Sequence, residues 1–528
     1  MIVQAKAKSM TTQPERNPST ERWVLIATIL ASSMAFIDGS ALNVALPTLQ
    51  RDLNIGGTAL LWVVNAYALF LSALILVGGS LGDLYGRKRI FTIGIALFSL
   101  SSLACGLSPS VEVLILARAV QGVGGALMVP GSLAILSASV SGERRGRAIG
   151  TWSTFSTLTT LGGPILGGAL AQAGLWRAVF FVNLPLAAIA LYILRRYVPE
   201  SRDESGTHQL DYPGAVLATL GLAGITFGFI QTPELGLTNP LILFALIGGV
   251  VALIAFIVVE SRSTHPMVPL KLFRNRTFAG TNALTLFLYA ALSGVPFFFS
   301  LNLIQIQGYP PNLAGFTFLP FGILLALMSR STGALADRIG PRVLLTVGPA
   351  IAGIGFFWFS LPGLTAGPSD YWVTYFPAVI LLGIGMGITV APLTTAVMGS
   401  APPESTGVAS GINNAVARTA GVLAIAILGA LAMTTFSGLV ESRAASDYPP
   451  EIVTQLRAES RKLADAEVPA GLSTEQGAAI KGIYQQSFID TFRLISIIGA
   501  ALAWISAALA FWLVEPKLRA SPAVPQAG

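Results

Sequence analysis

Charge is what this 528-residue sequence is shortest of. Asp, Glu, Lys and Arg make up 11% of it, against about a quarter in a soluble globular domain. A chain this poor in charge cannot cover a large surface with groups that water solvates, so most of its surface is expected to face lipid. Cysteine is nearly absent: Cys105 stands alone in the apolar run 90–107, which excludes a disulfide framework and a thiolate metal site. The two histidines, His208 and His265, fall in polar stretches between apolar runs, so zinc, haem and iron–sulfur chemistry are not expected. No G-x-x-x-x-G-K-[ST] loop occurs, and with it goes the phosphate cradle of an ATP-driven pump. No Ser/His/Asp set or pair of buried carboxylates marks a membrane enzyme. The expectation is therefore a non-enzyme without a cofactor. The net charge of +7 would point to nucleic acid in a soluble chain. Here its placement matters more than its sum, and no nucleic-acid partner is expected.

What the chain does have is apolar length, 53% hydrophobic residues. Runs near 23–46, 60–82, 90–107, 111–138, 147–173, 177–197, 212–231, 239–259, 277–300, 311–330, 343–361, 371–397, 407–436 and 490–514 each approach the twenty or so residues that a helix needs to cross a hydrocarbon core of about 30 Å. The first run is too long for a signal-peptide core and reads as a retained span. Basic residues fall in alternate connections: Arg87, Lys88 and Arg89; Arg144, Arg145 and Arg147; Arg195, Arg196 and Arg202; Arg262, Lys271, Arg274 and Arg276; Arg338 and Arg342. The other connections carry little beyond Arg51 and Arg177. The positive-inside rule then places both termini in the cytoplasm of a multi-pass protein of the inner (cytoplasmic) membrane. Residues 437–489 form a long polar extracytoplasmic segment, and 451–466 within it has helical periodicity.

The chain also repeats itself. Gly79, Leu81, Asp83, Gly86 and Lys88 recur 254 residues later as Gly333, Leu335, Asp337, Gly340 and Arg342, and Glu143, Gly146, Ala148 and Gly150 recur as Glu404, Gly407, Ala409 and Gly411. Such repeats are expected of secondary transporters, whose substrate site lies between the halves near the midplane. The expected organisation is a cytoplasmic tail (1–22), a six-helix bundle (23–197), a linker with two extra helices (198–276), a second six-helix bundle (277–514) and a cytoplasmic tail (515–528).

Several stretches carry a family resemblance. The loop Gly79-Ser-Leu-Gly-Asp83-Leu-Tyr-Gly86-Arg87-Lys88-Arg89 resembles the signature loop of major facilitator transporters. Asp38-Gly-Ser-Ala-Leu-Asn43-Val-Ala-Leu-Pro47, Arg118-Ala-Val-Gln121-Gly122, Gly163-Pro164-Ile-Leu-Gly167-Gly168, the stretch from Trp176-Arg177 to Asn183-Leu-Pro185, and Leu272-Phe273-Arg274-Asn275-Arg276 resemble motifs of the 14-helix drug:proton antiporter branch, the EmrB/QacA type. Two departures stand out. Thr159 replaces a glycine usual before Gly163, and Pro341 replaces a basic residue in the second copy of the loop. The resemblance implies an all-α polytopic major facilitator fold of about 14 transmembrane helices. It also implies a multidrug efflux transporter working by proton antiport. Lipid or metabolite transport on the same scaffold is the alternative, since fold alone does not fix function.

Asp38 and Arg118 are the charges deepest in apolar runs. Such groups are costly there and face the bundle interior or a water-filled cavity. Asp38 is expected to carry the proton and compete with substrate, the alternative being a structural acid bonded to a helix end or to Asn43. Arg118 serves proton coupling by resemblance, or ties helix four to helix one. Gly79, Asp83, Gly86, Arg87 and Lys88, with Asp337 and Arg338, are expected to form a conformational latch, Asp83 facing a helix N-terminus of the other half. Gly163, Pro164, Gly167 and Gly168 form the antiporter motif. Asn43, Trp62, Asn65, Tyr67, Gln121, Phe287, Tyr289, Gln305 and Arg418 are candidates for the substrate pocket, because aromatics with a few polar groups suit hydrophobic, planar or cationic ligands. The scarcity of deep acids argues for neutral or monocationic lipophilic substrates. Protons and membrane lipid are the other expected partners; a periplasmic adaptor is left open.

Overall fold

The computed structural model describes residues 18–140, 143–202, 211–402 and 405–516. His208, Glu404, residues 1–17 and 517–528 of the two tails, and the side chains of Glu143 and Asp337 lie outside what is described. Fourteen long helices follow one another: α1 Pro18–Leu53, α2 Gly57–Tyr85, α3 Arg87–Gly106, α4 Val111–Ser139, α5 Glu143–Gln172, α6 Ala178–Tyr197, α7 Tyr212–Leu235, α8 Pro240–Arg262, α9 Arg276–Leu301, α10 (Pro311–Phe316 and Leu319–Ile339), α11 Pro341–Phe359, α12 Phe376–Gly399, α13 Thr406–Ala444 and α14 Thr474–Leu513. Among the described residues no strand is present. Each helix covers one of the apolar runs.

Thirteen of the fourteen are long and apolar enough to span a membrane. The exception is α5, where seven of the ten residues 151–160 are Ser or Thr. Six of those hydroxyls donate to a carbonyl one turn back, for example Thr154 to Gly150 at 2.9 Å and Thr160 to Ser156 at 2.9 Å. This satisfies them within the helix.

Turn chemistry sets the breaks. Gly86 (φ +107°) separates α2 from α3, and Gly340 (φ +85°) separates α10 from α11. The two glycines occupy equivalent positions of the repeat, and each takes a left-handed backbone that a side chain would strain. Asn275 caps α9 by accepting from Thr277 N at 2.9 Å and Phe278 N at 3.2 Å. Ser473 and Gln476 form a capping box on α14.

Helices α1 to α6 pack on one another, as do α9 to α14. Small residues let backbones meet, as expected between membrane helices. A Cβ on Gly78 would fall 2.0 Å from Ala126 O, and one on Gly124 2.5 Å from Phe98 N. Among α9–α14, Phe299 gathers Phe318, Phe359, Tyr375 and Phe492 into an aromatic core. The hairpin of α7 and α8 closes through Gly221, Gly224 and Gly249. Its α7 leans on α2 and α13, where Leu69, Ala73, Leu222 and Val422 form a small cluster.

The two ends of the bundle differ. At the end away from Arg87 and Arg144, the segment between α13 and α14 folds down as a cap. Helices α13 and α14 run on to Ala444 and from Thr474, leaving 445–473 as the connection. Within it Pro450–Glu459 is helical and Ser460–Asp465 is a 3₁₀ turn that kinks at Leu463 (φ +55°). Leu456 and Leu463 are buried. Gln50 donates to Lys462 O at 2.8 Å, and Arg51 pairs with Asp465 at 2.9 Å. At the opposite, basic end Gly146 and Gly150 of α5 and Gly407 of α13 are exposed, with nothing within 4 Å of where a Cβ would stand.

Candidate functional site

Asp38 lies 20 residues into α1, about 30 Å along a helix that rises 1.5 Å per residue, and its carboxylate is completely buried. Two groups on one face of α4, three residues apart, meet it. Arg118 Nη1 is 2.5 Å from Asp38 Oδ2, and Gln121 Nε2 donates to Asp38 Oδ1 at 2.9 Å. Arg118 also donates to Gln121 Oε1 at 2.8 Å and to Val63 O of α2 at 3.2 Å. Its guanidinium lies 4.4 Å from the centre of the Tyr67 ring, a cation–π contact, and Cys105 Sγ reaches Gln121 Oε1 at 3.7 Å. Four helices of the first six thus converge on one ionised pair. Asp38 is bonded to Arg118 and Gln121 rather than to Asn43 or a helix end, and Arg118 joins α4 to α1.

Asn43, five residues further along α1, is partly exposed and donates weakly to Gly39 O at 3.4 Å. Gly39 between them is open, so this face of α1 borders free space. The glycines of α5 grip α1 on one side and α10 on the other. A Cβ on Gly163 would collide with Ser40, one on Gly167 would lie 2.1 Å from Ala41 O, and one on Gly168 would lie 2.4 Å from Pro311 O. Pro164 O in turn faces Gly315 at 2.3 Å from that glycine's would-be Cβ. The glycine-rich motif is therefore a close contact of α5 with α1 through Gly163 and Gly167, and with α10 through Pro164 and Gly168, toward the capped end.

The remaining pocket candidates scatter. Trp62 packs on Phe227 of α7, ring centres 6.2 Å apart. Gln305 donates to Gln50 Oε1 and Asp465 Oδ1, each at 3.2 Å, and belongs to the closure under the cap. Asn65 is buried and neither amide atom has a partner. Phe287 and Tyr289 are half-buried on α9, where Tyr289 packs against the core. Arg418 is partly exposed on α13.

In the basic-end loop Asp83 pairs with Arg87 one turn on, at 2.7 Å, not with a helix of the last six. Arg338 is exposed. The carboxylate at a helix N-terminus here is Glu200, which accepts from Lys88 N at 2.9 Å and Arg89 N at 3.1 Å. Lys88 Nζ donates to Val198 O at 2.6 Å. Glu200 gives no sequence signal beyond its place after α6. The motif residues Trp176 and Arg177 both donate to Asp52, at 2.9 and 2.6 Å, tying the α5–α6 turn to the end of α1.

Comparison with known proteins agrees with this architecture. A family model described as the Major Facilitator Superfamily matches residues 28–426. The multidrug resistance protein Stp of Mycobacterium tuberculosis is 34% identical over 441 residues, covering 83% of this chain and 81% of Stp. The cephamycin export protein CmcT of Amycolatopsis lactamdurans is 35% identical, covering 78% and 85%. The tetracenomycin C resistance and export protein of Streptomyces glaucescens is 30% identical, covering 95% and 93%. Among solved structures, a bacterial homologue of the human lysosomal transporter Spinster, inward-facing and unoccupied, superposes with a TM-score of 0.62 at 18% identity, covering 96% of this chain and all of that one. That last likeness speaks for the fold, and the sequence relatives for descent: this chain is a multi-pass membrane protein that belongs to the Major Facilitator Superfamily.

Proposed function

We propose that the protein is a proton-coupled antiporter that exports lipophilic neutral or monocationic small molecules across the cytoplasmic membrane by alternating access. In this reading the two sets of six helices are the moving halves, α7 and α8 are the linker, and the basic end and both termini face the cytoplasm. The observation that carries it is the Asp38–Arg118–Gln121 cluster: a carboxylate wholly buried at mid-bundle, held by a guanidinium that cannot give up its proton. A cation or proton arriving at Asp38 must displace Arg118, so proton and substrate compete for one group, the requirement for exchange. The resistance and export proteins named above, similar along most of their length, support the substrate class.

Asp83, Arg87 and Lys88 then act as the latch of the outward-open state, released here, with Asp83 turned to its own loop. Gly163–Gly168 keep α5 and α10 in leak-proof contact while the basic end is open. The test is flux. In proteoliposomes with an imposed pH gradient, wild type moves a lipophilic cation against protons, while Asp38→Asn inserts and folds but loses gradient-driven flux. Undiminished flux in that variant sinks the assignment of Asp38.

A further inference from the structure

Beside the Asp38 cluster stands a guanidinium that nothing neutralises. Arg418 lies 12 residues past the start of α13, about 18 Å along the helix, further than its side chain can reach back to the basic end. Among the described residues it makes no hydrogen bond, ion pair or ring contact. Its electrostatic neighbour is Tyr67, whose ring already lies against Arg118. Arg118 is matched by Asp38, so one uncompensated positive charge remains at this depth. The face it sits on is defined by its neighbours. Gly411, seven residues before it, faces Leu76 of α2, and Gly429, eleven after it, faces Leu61. Asn414, one turn nearer the basic end, is exposed. Arg418 is itself partly exposed, on the side of α13 that α2 packs against above and below it.

An arginine inside a span is costly without a counter-charge and marks a ligand path. We propose that Arg418 is an anion-recognition site of the central cavity. Lipophilic molecules bearing one carboxylate or sulfonate bind with the acidic group on Arg418 and the apolar body along the α2–α13 wall. This rests on the export reading for the identity of the cavity, and it widens the substrate range. The count of deep acids limits how much positive charge a ligand carries, but it says nothing against a negative one. A guanidinium suits a planar anion because it offers paired donors in a fixed fork.

The test is equilibrium dialysis of the full chain in lipid nanodiscs with two probes, 8-anilinonaphthalene-1-sulfonate as lipophilic monoanion and tetraphenylphosphonium as lipophilic monocation. Arg418→Gln is expected to weaken saturable binding of the anion about tenfold, the order of one charge-assisted contact, and to leave the cation bound as well or better. Arg418→Lys keeps most of the anion binding. Asn414→Asp, which leaves Arg418 in place, lowers anion binding by supplying a carboxylate one turn away. The proposal is overturned if wild type shows no saturable anion binding, if Arg418→Gln binds the anion like wild type, or if Arg418→Gln and Asn414→Asp lose both probes in parallel. The export reading fails separately: wild type would then move no cation under a pH gradient, whatever Arg418→Gln does to anion binding.

Discussion

Asp38 and Arg118 can stay charged at membrane depth only because each has the other. Removing one member of a buried pair strands the charge of its partner, at a cost of about 3–5 kcal/mol, whereas removing both costs much less. Arg118→Met and Asp38→Asn are therefore each expected to lower the apparent melting temperature in detergent, and the double variant to recover most of the loss. If the double variant melts no higher than Arg118→Met, the carboxylate is not what the arginine stabilises. The two charges were legible in the sequence because an ionised residue in an apolar run has few explanations, but their pairing was not, and Gln121, which entered as a pocket candidate, proves to be a hydrogen-bond partner of both. The stacking of Tyr67 on Arg118 was not legible as such, since it is a contact between separate helices that spacing cannot reveal. Asn65 and Trp62 carried the same polar or aromatic signal as Tyr67. The structure buries the first without a partner and spends the second on α7.

The element that most shapes the molecule is α5, read as a span from the run 147–173 yet, with its hydroxyls, less apolar than the other thirteen long helices. Its glycines make different contacts within a few residues: Gly168 lies against Pro311 O, while Gly162 faces open space. Gly168→Val should then prise α5 from α10 at the capped end, since overpacking a tight contact costs about 1–3 kcal/mol, and Gly162→Val should not. The readout is labelling of a Gln305→Cys reporter by a membrane-impermeant maleimide. Native Cys105 is fully buried and adds little background. Gly168→Val is expected to raise the labelling rate roughly tenfold, the factor that 1.4 kcal/mol corresponds to; equal rates in the two valine variants would show that the contact does not hold the end shut. The spacing Gly163, Gly167, Gly168 announced a thin helix face, but the identity of the facing backbone, α10, came only with the fold.

At the scale of the whole molecule, the end away from the basic loops is covered by a lid whose form the sequence half disclosed. Helical periodicity over 451–466 was visible. The further turns of α13 and α14 were not, because helix outside the hydrocarbon layer needs no apolar run and leaves no hydropathy signal. What holds the lid is polar: Asp465 sits among Arg51, Lys462, Glu467 and Gln305. Burial pushes the Asp465 carboxyl up from its ordinary value, more than Arg51 pulls it down. The closed lid thus binds a proton more tightly than the open one. The cost of burying that charge is present above the raised value and is relieved as the pH falls through it into the ordinary carboxyl range, so acidity on the capped side favours closure. Hydrogen exchange of the backbone over 450–465, corrected for intrinsic rates, should slow as the pH is lowered from about 7 into the ordinary carboxyl range near about 4, and Asp465→Asn should remove that dependence while leaving exchange at the slow, low-pH level. Faster exchange at low pH would mean that the ion pair with Arg51 outweighs burial and that acid opens the lid. For an exporter releasing its cargo into a more acidic space, closure favoured by acid resets the empty transporter toward the state with its basic end open.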